Sequence, residues 1–175
     1  MIGTGELLTR ATIWLAIVAY TVGCGVLAFS RHRSHGLYAA RTAWTIGCVA
    51  LIAHLICAFH FYHGWSHESA YRETARQTAE VVALNWGGGL FINYALLVVW
   101  IVDVGWWWLG GITSYFNRRW LLVIMWHAFL IFIIFNATVV FKTGIVRWVG
   151  LPISLFLVIS WILVAHKYRK RPPAL

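Results

Sequence analysis

Runs of apolar residues dominate the chain, and short polar stretches punctuate them at nearly regular intervals. A helix crossing a bilayer needs roughly 20 consecutive apolar residues. Five segments meet that requirement: Ala11–Phe29, Thr42–Tyr62, Leu90–Leu109, Trp120–Phe141 and Trp148–Ala165. The one long polar stretch, Gly64–Asn85, carries a different pattern. Ser66 stands where an N-cap would, with Glu68 in the turn that follows. Beyond it Ala70, Tyr71, Thr74, Ala75, Thr78, Val81 and Val82 recur at helical spacing, with Arg72, Glu73, Arg76 and Glu80 elsewhere on the wheel. That is an amphipathic helix lying at a membrane surface. The expected fold is therefore an all-α integral membrane protein: a five-transmembrane-helix bundle with one short interfacial helix between spans two and three. Residues 1–175 form a single membrane domain, and 166–175 a basic tail. Trp86-Gly87-Gly88-Gly89 re-enters span three, more simply as a turn than as a close approach to a ligand. Pro152 falls in the first turns of span five, where helices tolerate proline.

Composition agrees with this reading. Of the 175 residues 61% are hydrophobic and 11% charged, whereas soluble domains carry about 25% charged residues. The apolar run of the first span ends at Arg31-His32-Arg33 without a small-residue cleavage site, so it reads as a retained helix. Cys24, Cys48 and Cys57 all fall within spans, with no C-x-x-C pair, so no disulfide is expected.

A net charge of +9 invites a nucleic-acid reading, but the placement of the charges opposes it. Arg31, Arg33, Arg41, Arg118, Arg119, Lys167, Arg169, Lys170 and Arg171 fall on one side of the five spans, and Arg10, Arg72, Arg76, Lys142 and Arg147 on the other. The positive-inside bias puts the first group in the cytoplasm, with the N-terminus outside and the C-terminus inside. A bacterial cytoplasmic (inner) membrane suits that arrangement. The tail then serves as an orientation signal and anionic-lipid contact. Tryptophan placement gives the same topology: Trp14, Trp65, Trp86 and Trp148 mark outer ends, Trp44, Trp106, Trp107, Trp108, Trp120 and Trp161 inner ends, and only Trp100 and Trp126 lie deep.

The candidate chemistry is concentrated in histidine. His54, His60, His63 and His67 fall within fourteen residues where span two leaves the membrane. At about 100° per residue His60, His63 and His67 share a stripe within about 60° if one helix runs through them. Three imidazoles so placed could supply most of a zinc or copper site, or an iron site if Glu68 or Glu80 completed the shell. Gly64 and Ser66 threaten that continuity. His54 points away from the stripe, and with His127 on span four it makes a candidate pair of axial ligands for a b-type haem.

Other polar residues form two expected layers. His54, Asn93 and Asn136 lie about 7–12 Å below the outer ends of their spans. Asp103 and His127 form a deeper pair, in which a carboxylate would fix the imidazole tautomer or relay protons. Spans two to four would then be the functional core, with spans one and five lipid-facing supports. The run His60-Phe-Tyr-His63-Gly-Trp-Ser-His67 superficially resembles a histidine box of membrane desaturases and hydroxylases. Those enzymes carry several boxes in different segments and this chain carries one, so their chemistry is not transferred. No nucleophile elbow, Walker A loop or Rossmann fingerprint occurs, and no catalytic residue is assigned.

Three functions fit these features. The first is a metal or haem protein working in redox chemistry or electron transfer at the outer face. The second is a non-catalytic small subunit of a larger membrane complex, with structural histidines. The third is a proton or metal-ion conduit. Expected partners are the bilayer and other membrane subunits or further copies, not nucleic acid.

Overall fold

A computed structural model of the chain describes residues 3–30, 33–111 and 120–169. Arg31, Arg118, Arg119, Lys170 and Arg171, on which part of the charge argument rests, lie outside the described residues. The elements are α1 (Thr4–Phe29), α2 (Arg33–Ala58) closing in a wide π turn (Phe59–His63), α3 (His67–Val82), α4 (Gly89–Leu109), α5 (Trp120–Phe135) with a second π turn (Asn136–Val140), and α6 (Ile145–Arg169). Among the described residues there is no strand, and five helices are long and apolar enough to cross a membrane. Only 22–33% of each apolar window is buried inside the protein, so most of the surface along these helices is hydrocarbon-like. Such a surface is stable against lipid and would be a liability in water. The chain is an all-α membrane bundle.

The helix ends follow from local chemistry. In α1 the hydroxyls of Thr9 and Thr12 donate to the carbonyls of Gly5 and Leu8, each at 2.8 Å, which satisfies them without water. The π turn of α2 ends at Gly64 (φ 52°) and Trp65 (φ 63°), two successive left-handed residues. A tryptophan in that region costs about 1–2 kcal/mol, and the Trp65 N–H recovers part of this by donating to the Phe59 carbonyl at 3.1 Å. Ser66 caps α3 as expected, accepting from the Ser69 N–H at 3.2 Å. The glycines ahead of α4 do permit a close approach, but to α3 and not to a ligand. A Cβ on Gly87 would stand 2.4 Å from the Tyr71 carbonyl oxygen. At the start of α6, Arg147 Nε donates to the carbonyls of Val139 and Lys142, both at 2.9 Å, and so closes the end of the second π turn. Because α6 begins at Ile145, Pro152 is its eighth residue and sits in the helix interior, past the turns expected to accommodate it. It removes one backbone donor there.

Contacts divide the chain into two compact units, Met1–Val18 with Ile46–Ile101, and Ala19–Thr45 with Val102–Leu175. The first has a core of small and apolar side chains, including Ala16, Ala50, Leu51, Leu96 and Trp100. The position a Cβ would take on Gly47 lies 2.9 Å from the Trp100 ring, so glycine there lets that indole lie against α2. The second is built around Tyr20, Trp44, Trp107, His127, Leu130 and Leu157, none more than 1% exposed.

Candidate functional site

The histidine cluster belongs to the first unit, and the break at Gly64–Trp65 decides its geometry. His60 and His63 stay on the π turn, while His67 becomes the first residue of α3. The single stripe expected from continuous helical spacing therefore does not form. His67 turns instead to α4, with Nδ1 3.2 Å from the Tyr94 hydroxyl and its ring 5.6 Å from that of Phe91. His63 packs edge-on against Phe59 at 5.7 Å, and His60 against Phe61 at 4.7 Å. Phe59 is the hub of this rim, meeting Trp65 at 6.2 Å and Tyr94 at 6.4 Å. Among the described residues no three His, Cys, Asp or Glu side chains are grouped so as to hold a metal ion.

The carboxylates expected to complete such a shell are otherwise occupied. Glu68 pairs with Arg72, and Glu80 with Arg76 at 2.5 Å. Arg76 also meets Glu73 at 2.6 Å. Hydrogen bonds from Arg76, then Gln77, pull the Glu73 carboxyl down to about 2. α3 is thus laced along its exposed face by i,i+3 and i,i+4 pairs, as a helix at a wet interface can be.

His54 makes the most definite bond of the cluster. Its Nδ1 lies 2.9 Å from the backbone carbonyl of Thr9 on α1. A carbonyl only accepts, so Nδ1 carries the proton. Asn93 is exposed on α4, and Asn136 Nδ2 donates to the Phe132 carbonyl of its own helix at 2.7 Å. Neither asparagine carries the expected inter-helix layer, because one faces outward and the other is spent locally.

The second unit holds a buried polar network drawn from all five spanning helices. His127 on α5 is 1% exposed, and its Nδ1 lies 3.1 Å from the Tyr20 hydroxyl on α1. Trp161 on α6 stacks on the imidazole with centroids 3.6 Å apart and planes at 19°. Trp44 on α2 meets the same ring edge-on at 5.0 Å and donates its indole N–H to Asp103 Oδ2 on α4 at 3.1 Å. The deeper Asp103 and His127 pair is thus joined through an intervening indole. Near this network Trp108 Nε1 donates to the Thr45 hydroxyl at 3.0 Å, and the Arg41 guanidinium lies over the Trp108 ring at 3.9 Å.

Spans one and five are accordingly more than lipid-facing supports, since Tyr20 and Trp161 are buried partners of His127. Sequence reasoning passed over them because it ranked helices by ionisable groups, and neither residue is charged. The available signal was Tyr20 itself, a hydroxyl within an apolar run that needs a partner once buried. No protein-family model matches the chain, and neither does any curated protein or solved structure.

Proposed function

We propose that the chain is a non-catalytic membrane subunit whose histidines hold its helices together. One observation carries this reading: the histidine hydrogen bonds described above each run between two helices. His54 ties α2 to α1, His67 ties α3 to α4, and His127 ties α5 to α1. In hydrocarbon the bonds of His54 and His127 stand in for the hydrophobic drive that helix association lacks, at about 0.6 to 2 kcal/mol each. The broad apolar surface is then the material for packing against neighbouring subunits and lipid. The charge bias favours an N-terminus outside and a C-terminus in the cytoplasm of a bacterial inner membrane.

The reading is tested in native membranes solubilised gently. The chain should co-migrate with other polypeptides at fixed stoichiometry through two orthogonal separations. A His60→Ala/His63→Ala double variant should assemble as the wild type does, without losing metal. A solitary chain carrying one metal ion per copy, lost in that double variant, would overturn the proposal and restore the outer-face metal site.

A further inference from the structure

Arg41 lies six residues inside the apolar span His35–His63, about 9 Å along the helix from that end. A cation at that depth needs an anion or a route to water. The chain has five carboxylates, and none pairs with it. Glu6, Glu68, Glu73 and Glu80 pair with arginines on their own helices, and Asp103 accepts from Trp44. Arg41 Nε is shielded from solvent and meets no acceptor. Aromatic rings hold the side chain where it is. Its guanidinium carbon lies 3.9 Å from the centre of the Trp108 ring and 5.4 Å from that of Tyr38. Trp108 is itself fixed by its 3.0 Å bond to the Thr45 hydroxyl.

Stacking occupies the face of a guanidinium and leaves its edge of N–H donors free. That edge matches two oxygens of one anion, and phosphate is the anion that a membrane boundary supplies in quantity. Apolar surface is open on the same two helices: Tyr38 is 55% exposed, Trp108 52%, and Leu109, the last residue of α4, 92%. A free anion gains nothing from that surface, whereas a lipid lays its chains against it. We propose that Arg41 binds the phosphate of an anionic phospholipid, with Trp108 as the positioning residue that holds the guanidinium for it. A zwitterionic headgroup carries its own cation, so a net-negative one is preferred. The site lies within the second unit. It goes beyond the subunit reading and does not depend on it, since an assembled and a solitary chain meet the same lipids.

The probe is dioleoyl phosphatidylglycerol, titrated into the delipidated full-length chain in neutral detergent and read as bound adducts by native mass spectrometry. Dioleoyl phosphatidylcholine and inorganic phosphate are run as separate arms, and circular dichroism checks that each variant is folded. A first phosphatidylglycerol should saturate and bind at least about fivefold more tightly than phosphatidylcholine. Arg41→Gln should abolish that preference. Arg41→Lys keeps the charge but loses the planar fork, so it should recover the preference only in part. Trp108→Leu leaves the arginine and removes its platform, and should weaken binding as well. Arg72→Ala, on the exposed face of α3, should bind as the wild type does. If Arg41→Gln does not fold, the two charge-keeping variants decide. The proposal is overturned by equal affinity for the two lipids in the folded wild type, or by a preference that survives Arg41→Gln or Trp108→Leu. Full recovery in Arg41→Lys overturns it too, and so does displacement of the lipid by inorganic phosphate, which would assign the site to a free anion.

Discussion

Tyr20→Phe is the sharpest test of the buried network, because it deletes one oxygen and leaves the ring in place. The hydroxyl meets His127 Nδ1 at 3.1 Å, with Tyr20 fully buried and His127 1% exposed. Water cannot take the vacated position, so the cost contains the desolvation of the imidazole nitrogen as well as the lost bond. Such a deletion costs about 1–3 kcal/mol in protein interiors, whereas inter-helix bonds in membrane proteins average about 0.6 and reach about 1.7. The ring keeps its packing against Trp44 at 4.9 Å, so no cavity term is added. The working expectation is therefore about 1–2 kcal/mol. Tyr94→Phe removes the same atom from the 3.2 Å bond to the exposed His67, where water replaces it, and should cost under about 0.5 kcal/mol. Both are read from helix loss by circular dichroism during reversible SDS titration in mixed micelles. A double-mutant cycle of Tyr20→Phe with His127→Phe isolates the pair. The reasoning fails if Tyr20→Phe costs no more than Tyr94→Phe, or if the cycle returns a coupling below about 0.3 kcal/mol.

Four further outcomes follow from the same geometry. Gly87→Ala places a methyl 2.4 Å from the Tyr71 carbonyl oxygen; it should cost about 1–3 kcal/mol and expose α3 to faster tryptic cleavage at Arg72 and Arg76. Gly64→Ala meets no neighbour within 4 Å but must adopt φ 52°, so a loss of about 1 kcal/mol with an unchanged near-ultraviolet spectrum is expected. The Glu73 carboxyl titrates below its ordinary value of 4.5, at about 2, so its contribution to α3 is complete above 4.5 and fades as pH falls through that window. Hydrogen-exchange protection of α3 should decline more steeply over that window in the wild type than in Glu73→Gln, which keeps only the Glu68 and Glu80 pairs. Arg147→Ala should speed exchange at the Asn136–Val140 turn, whose Val139 carbonyl Arg147 closes along with that of Lys142.

The spans, the interfacial helix and its Ser66 cap were legible in sequence because each rests on a local rule. Apolar length fixes a span, and a short polar side chain before an apolar period fixes a helix start. Helix ends were less legible. α1 starts at Thr4, ahead of the apolar run that begins near Ala11, because Glu6 and Arg10 pair along the helix at 2.6 Å and carry it into a polar stretch. The histidine stripe was less legible still. It required one helix through His60, His63 and His67, and Gly64 and Trp65 turn left-handed and send His67 into the next helix. Glycine alone signals a weak break. That a tryptophan would follow it into the same region rests on its ring contacts with Phe59 and His60 of the π turn, and no single-residue propensity announces it.

The second unit shows why counting charged groups misleads in a membrane. A buried histidine or aspartate in hydrocarbon must be partnered, and in this chain the partners are uncharged aromatics that also fill volume. Tyr20 supplies a hydroxyl and Trp44 an indole N–H, and both pack as core side chains with no exposure. A charged partner would have needed its own desolvation offset, whereas phenol and indole bury about 150–250 Å² each while satisfying one polar atom. His127 and Asp103 thus lie on different helices, and each is answered by an aromatic on another. That arrangement fixes the register of α1, α2, α4, α5 and α6 within the unit without a continuous file of ionisable groups.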